Sequence, residues 1–373
     1  MKIQMVDLYG QYAQIKNEID ASIGNVIENT SFINGTDVKQ FSENFAQFTG
    51  AKHVITCGNG TDALQMALMA LNLNRGDEVI VPGFTYAASV EAICILGLTP
   101  VVVDVDFESF NISASNIIKG ISSQTKAIIP VHLFGQCCDM EAVMDIADKY
   151  GLYVIEDNAQ SVASEYVSER IKRQAGTIGH IGCTSFFPAK VLGCFGDGGA
   201  LMTDNSDYAE RIRMIANHGQ KVKYTHEIIG CNSRLDTIQA AILNVKLKYL
   251  DEYCKKRVLV ANFYDNNLNN IEGILLPQRV NYSTHVFHQY TIKVENGKRD
   301  DLKKHLEKKG IPSMIYYPHS LDRQPAFRKH IRIAEPLATS NKLSDMVLSL
   351  PIHTELTVLQ QNYITEAIRD YFT

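Results

Sequence analysis

Short runs rich in β-branched residues recur through the first two hundred residues, each separated from the next by a stretch of helical periodicity. HVITC (53–57) precedes TDALQMALMALNL, and EVIVPG (78–83) precedes AASVEAICILG. PVVVDVD (100–106), KAIIPVHLFG (126–135), YVIED (153–157), CTSFF (183–187) and GALMTD (199–204) follow. Runs that are apolar throughout fit strands covered on both faces, which is the condition of a mostly parallel sheet. The expected fold class is therefore α/β, a three-layer arrangement with helices on either side of the sheet.

Two helices are expected before the sheet. In TDVKQFSENFAQF, Val38, Phe41, Phe45 and Phe48 share one face, with Thr36 as the N-cap. After residue 245 the pattern changes to a long helix over LKYLDEYCKKRVLVANFYDNNL, irregular strand-like runs, a helix near 299–309 and a last helix near 357–370. We expect a large domain over 1–245 and a smaller α+β C-terminal domain over 246–373. The polar segment ASEYVSERIKRQAGTIGHIG (163–182) reads as a surface loop.

The 373 residues are ample for a core, and the net charge of −5 leaves no electrostatic footprint for nucleic acid or an anionic membrane. The eight cysteines show no C-x-x-C spacing, so neither a metal site nor a secreted disulfide framework is expected. The first twenty residues lack the apolar region of a signal peptide, and the longest apolar stretch, AICILGLTPVVV, is too short to span a bilayer. A reduced, cytoplasmic location is the expectation.

Ligands of open α/β sheets sit beyond the carboxyl ends of the strands. After HVITC comes Gly58-Asn59-Gly60-Thr61-Asp62-Ala63, opening a helix. Free N–H groups and close backbone approach make this an anion seat, although a plain glycine turn with a helix cap has the same text. The same residues match the G-x-G-x-x-A dinucleotide pattern. That reading needs an acid at the end of the next strand, whereas Asp77 and Glu78 precede it. After EVIVPG, Tyr86 can stack on a flat ligand or belong to the core. YVIED ends in Glu156 and Asp157, and an aspartate there holds a ligand cation or caps a helix.

Lys190 follows the run ending in SFF and precedes Gly193, Gly196, Gly198 and Gly199. Lysine is seldom fully buried, because its charged form loses hydration there. Desolvation frees the amine as a nucleophile that joins carbonyls, while the ordinary alternative is a lysine reaching from a loop to water. Taken together these residues describe one ligand: flat, with an aldehyde, an anionic tail and a ring nitrogen whose charge wants a carboxylate. Pyridoxal 5'-phosphate has all four properties.

The phrases NGTDALQMAL, PGFTYAASVEAI, VDVDFESFNI, IIPVHLFGQ, VIEDNAQS, SFFPAKVLGCFGDGGA, NHGQ and NSRLDTIQAAIL resemble the DegT-type nucleotide-sugar aminotransferases of fold type I. They cover about residues 5 to 245 and are most similar to enzymes acting on a UDP-linked 3-keto-glucuronic acid derivative. The resemblance implies that Lys190 carries the cofactor covalently and shuttles the proton, and that Asp157 pairs with the ring nitrogen. It implies Gln160 at the phenolic oxygen and Tyr86 stacked on the ring. Gly60, Thr61 and Ser185 would hold the phosphate, joined by Asn232 of a second subunit. Arg234 would sit near substrate, with Tyr316, Tyr317 and His319 of the loop MIYYPHSLDRQPAF as further substrate contacts. The relatives place a histidine where Tyr316 stands.

The implied protein is a homodimer with its active site at the subunit interface. It would move the amino group of L-glutamate to a nucleotide-linked keto sugar, giving an amino sugar for surface polysaccharide. A UDP-linked 3-keto sugar or uronic acid is the expected acceptor. The alternatives are a UDP- or dTDP-linked 4-keto sugar, a nicotinamide-dependent sugar oxidoreductase or epimerase, and a non-catalytic regulator.

Overall fold

A computed structural model describes residues 2–373. Seven strands of the large sheet come from residues 53–203: β1 (His53–Cys57), β2 (Glu78–Pro82), β3 (Thr99–Val103), β4 (Thr125–Ile128), β5 (Tyr153–Asp157), β6 (Ile181–Ser185) and β7 (Gly199–Thr203). Three more distant segments follow as β8 (Ile274–Leu275), β9 (Tyr290–Val294) and β10 (Arg332–Ile333), then β11 (Val347–Leu350). The eight-stranded sheet runs β1-β7-β6-β5-β4-β2-β3-β10. Only β7 is antiparallel to its neighbours, β1 and β6. The α/β reading with a mostly parallel sheet therefore holds.

Side-chain alternation explains why these runs had to be apolar throughout. Val79 and Val81 of β2 pack on one face against the helix Gly60–Ala70, while Ile80 between them packs on the other with Val101, Ile128 and Val154. All five β2 residues are buried. Such a strand has no polar side to offer, which is the physical meaning of its composition.

Three helices precede the sheet rather than two: Leu8–Gln14, Lys16–Glu28 and Thr36–Thr49. The apolar face of the third is as expected, with Phe41 and Phe45 buried against Phe186. Its N-cap is Gly35, which offers no side-chain cap, and Thr36 is already helical. Residues 163–182 are more than a surface loop. They form a hairpin of Glu165–Val167 with Lys172–Gln174, anchored by the buried ring of Tyr166, and then enter β6.

A second core lies in the C-terminal part, where the helices Leu250–Leu268, Arg299–Lys308 and Val358–Phe372 cover the small sheet β8-β9-β11. The division expected after residue 245 is crossed in both directions. Ile3 packs into this second core, whereas Leu321, Phe327, Leu337 and Leu343 return to the large one. β10 adds to the large sheet beside β3, pinned by Arg332, whose guanidinium donates to Glu78 Oε1 at 2.7 Å and Oε2 at 2.8 Å. That ion pair also accounts for the acid at the start of β2. Glu78 accepts from Ser122 and Thr125 as well, so it is a structural anchor at the amino end of its strand. No helix among the described residues is long and apolar enough to cross a membrane.

Candidate active site

The carboxyl ends of β1, β5 and β6 open into one cavity of about 700 Å³. Gly60, Thr61, Tyr86, Asp157, Gln160, Ser185, Lys190, Tyr316 and Tyr317 line it. The structure thus brings together in space the residues singled out across more than 250 positions of sequence. Asn232, Arg234 and His319 do not line the cavity of their own chain.

The helix Gly60–Ala70 points its N-terminus at the cavity. Its N-cap, Asn59, accepts from the Asp62 N–H through its side chain at 2.8 Å and from the Ala63 N–H through its carbonyl at 3.1 Å. The N–H groups of Gly60 and Thr61 have no partner among the described residues. They remain available to an anion, with the helix dipole behind them and the Thr61 and Ser185 hydroxyls beside them. Gly60 is required by closeness: a Cβ here would come within 2.7 Å of the Ser185 Cβ. Replacing Gly60 with alanine is expected to push Ser185 out of the seat and weaken binding of an anionic ligand at least about tenfold, which equilibrium dialysis against the cofactor would measure.

Asp157 ends β5 and is nearly buried at 6 % exposure. Its Oδ2 accepts from Ser89 Oγ at 2.8 Å and its Oδ1 from the Ala159 N–H at 3.2 Å. The neighbouring Glu156 points to the other face and is purely structural. Burial alone would raise its carboxyl. The hydrogen bond from His132, the charge of that ring and the backbone N–H groups of Gly179 and Gly176 outweigh burial and hold it below the ordinary carboxylate value. One strand end thus supplies one carboxylate to the fold and one to the cavity.

Lys190 sits on a tight turn after β6, where its N–H donates to the Phe187 carbonyl at 2.8 Å. The loop behind it folds back on itself, with Cys194 N–H donating to Phe186 O and Phe186 N–H to Gly198 O. Gly193 passes so near Pro188 that a Cβ would lie 2.4 Å from its carbonyl oxygen. The helix Thr237–Leu247 pins the loop from outside: Lys246 Nζ donates to Gly193 O at 2.5 Å, and Gln239 Oε1 accepts from Phe195 N–H at 2.8 Å.

Burial lowers the Lys190 pKa to about 8, while the negative charge of Asp157 acts in the opposite direction. A large fraction of neutral amine is therefore present at mildly alkaline pH. In cofactor-free protein an amine-directed reagent is expected to label Lys190 with a midpoint near pH 8, far below an ordinary lysine at 10.5. Lys246 is lowered to about 8 as well, also by burial, but at 2 % exposure it is closed to the reagent. Peptide mapping across a pH series distinguishes the two.

The other wall is aromatic. Tyr86 is 59 % exposed and lies 6.1 Å from Tyr317, centroid to centroid, and Tyr317 packs on Phe84. Gln160 is already engaged at both ends within the chain. Its Oε1 accepts from the Phe134 N–H at 2.8 Å, and its Nε2 donates to the Tyr317 hydroxyl at 2.9 Å. Residues that sequence reasoning passed over complete the site: Ser89 behind Asp157, and Thr85, Asp197, His288 and Gln289 in the wall. His288 and Gln289 had a signal, a polar pair directly before the β-branched run YTIKV. Ser89 had none, since only the fold brings its hydroxyl to Asp157.

A desolvated lysine, a carboxylate and a helix N-terminus with two free N–H groups, set around one cavity with an aromatic side, define the class: an enzyme that uses pyridoxal 5'-phosphate, whose aldehyde, ring nitrogen and phosphate these groups fit. The comparisons agree. Residues 13–369 match the DegT/DnrJ/EryC1/StrS aminotransferase family, and the chain belongs to that family. It is 42 % identical over 366 residues to the UDP-2-acetamido-2-deoxy-3-oxo-D-glucuronate aminotransferase of Pseudomonas aeruginosa, covering 98 % of this chain and 99 % of that one. It is 40 % identical to the UDP-N-acetyl-3-dehydro-α-D-glucosamine 3-aminotransferase of Acidithiobacillus ferrooxidans, covering 98 % and 97 %. The crystal structure of DesV from S. venezuelae superposes with a TM-score of 0.95 at 36 % identity, covering 99 % of this chain and 98 % of that one.

Proposed function

We propose that this aminotransferase moves the amino group of L-glutamate to the ketone of a nucleotide-linked sugar, with a UDP-linked 3-keto sugar or 3-keto uronic acid as the acceptor. The observation that carries the reading is the half-buried Lys190 amine in one cavity with Asp157 and the open helix N-terminus at Gly60. The sugar class is supported by relatives of about equal similarity whose names specify UDP-linked 3-oxo and 3-dehydro sugars.

When bound, the cofactor supplies an aldehyde that accepts amino groups and a ring that draws off electron density. The chain does the rest. The N–H groups of Gly60 and Thr61 and the hydroxyls of Thr61 and Ser185 bind the phosphate. Asp157, oriented by Ser89, holds a proton on the ring nitrogen. Tyr86 would offer its exposed face to the ring, and Gln160 and Tyr317 form a hydrogen-bonded pair in the cavity wall. Lys190 takes a proton from the donor's α-carbon and returns it on the other side of the exchange, work suited to an amine with a pKa near operating pH.

The site is completed by a second copy of the chain. Phe187 and Phe195 on the lysine loop are 52 % and 43 % exposed, Tyr9 is 77 %, and Phe32 and Ile33 are similarly open. Of these Phe187 lines the cavity itself, and large apolar side chains left in the open mark an interaction surface. In this reading Asn232 and Arg234 serve the neighbouring subunit's cavity, and His319 lies toward the sugar. The large cofactor-binding domain comprises about residues 1–245 with the returning segment, and the remainder forms the small domain. Eight unpaired cysteines suit a reducing cytoplasm.

Purified holo-protein supplied with glutamate and a panel of UDP- and dTDP-linked 3-keto and 4-keto sugars tests the assignment. Release of 2-oxoglutarate is expected with the UDP-linked 3-keto members. Turnover confined to 4-keto or dTDP-linked sugars, or to none, would reject it.

A further inference from the structure

An acid stands at the mouth of the anion seat. Asp62 is the third residue of the helix Gly60–Ala70 and lines the cavity together with Gly60 and Thr61. An acidic side chain at that position ordinarily turns back toward the open N–H groups at the start of its helix, where the dipole also favours it. Left free, it would compete for the place where an anionic ligand binds, and its like charge would repel that ligand.

In the folded chain the carboxylate is held by another group. Ser233 Oγ donates to Asp62 Oδ2 at 2.6 Å and accepts from the Gly58 N–H at 2.9 Å. One hydroxyl thus ties the loop before the helix to the acid within it, from 175 and 171 positions away in the chain. The three groups are closely packed: a Cβ at Gly58 would lie 3.0 Å from Asp62 Oδ2 and 3.3 Å from Ser233 Oγ. Ser233 is itself 2 % exposed, and its backbone is anchored. Its N–H donates to the Ala216 carbonyl at 3.1 Å, and the Cys231 N–H donates to the Ile215 carbonyl at 2.8 Å. The end of the helix Ser206–Ala216 therefore delivers the hydroxyl to the loop. Nothing in the mechanism above uses Ser233.

We propose that Ser233 is a positioning residue for the phosphate: its hydroxyl fixes Gly58 and draws the Asp62 carboxylate away from the helix N-terminus, leaving the N–H groups of Gly60 and Thr61 to the ligand. The inference rests on the reading of that terminus as the seat of the cofactor's phosphate. Ser233 acts through its two neighbours, and a hydroxyl suits the task because it donates and accepts at once. Alanine in its place removes both bonds and frees a negative charge beside the seat.

The test titrates cofactor-free protein with pyridoxal 5'-phosphate and, separately, with pyridoxal, which lacks only the phosphate. The parent is expected to bind the phosphorylated form more tightly by far. Ser233→Ala is expected to weaken pyridoxal 5'-phosphate about tenfold and pyridoxal less than about twofold. Adding Asp62→Asn to that variant removes the freed charge and is expected to bring the affinity back to within about threefold of the parent. Equal weakening of both ligands, affinities equal to those of the parent, or no recovery with Asp62→Asn overturns the proposal. Should Ser233→Ala not fold, Ser233→Cys, a weaker donor and acceptor, is expected to show the same split between the two ligands at smaller size, and equal effects on both overturn the proposal there too. A parent protein that binds the two ligands equally would overturn the phosphate seat itself. Tight binding of the phosphorylated form by the parent, unchanged in Ser233→Ala, leaves the seat standing and removes only the role of Ser233.

Discussion

Lys190→Ala is expected to give a folded protein with kcat reduced at least about 10⁴-fold, the upper range for removing a positioned proton carrier, and with no covalent link to the cofactor. The same substitution is expected to raise stability. Burial depresses the lysine pKa to about 8 in the folded protein, against 10.5 when it is exposed. Between these values the unfolded chain binds the proton and the folded chain does not, so native stability rises with pH across that window. Below pH 8 the folded protein carries a charge its surroundings disfavour. The alanine variant should therefore melt at a higher temperature than the parent at pH 7, when both are cofactor-free, and the gain should shrink as pH rises from 8 toward 10.5. Thermal melts of both apo-proteins at a series of pH values check this. A lower melting temperature at pH 7 would mean that the lysine holds the loop together instead of being held by it.

Asp157→Asn is the second large effect. The amide keeps the size of the carboxylate: its oxygen can still accept from the Ala159 N–H, while its NH₂ donates to the Ser89 hydroxyl, which turns from donor to acceptor, so the fold is expected to survive with little change in melting temperature. What it loses is negative charge at a site 6 % exposed, where charge acts through a medium of low polarisability. A fixed charge aimed at a developing one is worth about 10²–10³ in kcat, and a loss of that size is expected with KM little altered. A KM effect with normal kcat would instead make Asp157 a binding residue. Ser89→Ala tests the support: the carboxylate stays but loses one of its two partners, and a smaller loss in kcat is expected.

The parts of the molecule legible in sequence share a physical cause. β2 and β5 are covered on both faces, so composition alone marks them, and YVIED begins and ends where its strand does. The glycine loop after β1, Asp157 at the end of β5 and Lys190 in the turn after β6 were legible because each lies at the carboxyl end of a strand. The N-terminal region was harder. Leu8–Gln14 buries none of its residues, and a helix without a buried face leaves no periodic pattern. Thr36 suggested a cap because its residue type favours one, yet the chain enters that helix through Gly35, whose extended backbone does the turning. The hairpin at 165–174 was hidden by its polar edge, with the single ring of Tyr166 fixing it from below.

The C-terminal third was least legible. Its segments pack by turns into both cores, and β10 of only two residues gives no strand signal while completing the large sheet. The same crossing carries Tyr316, Tyr317, His288 and Gln289 into the cavity wall from positions that read as a separate domain. Gln160 was reached only through the resemblance of VIEDNAQS, not from its own spacing. That its amide would bridge Phe134 and Tyr317 depends on contacts made 26 and 157 residues away in the chain.

The covalent attachment of the cofactor is the point on which every other assignment depends. Holo-protein treated with borohydride, digested and analysed by mass spectrometry is expected to carry the reduced pyridoxal phosphate on the peptide containing Lys190 and nowhere else. The label on another lysine, or a protein that retains no cofactor after reduction, would contradict the account.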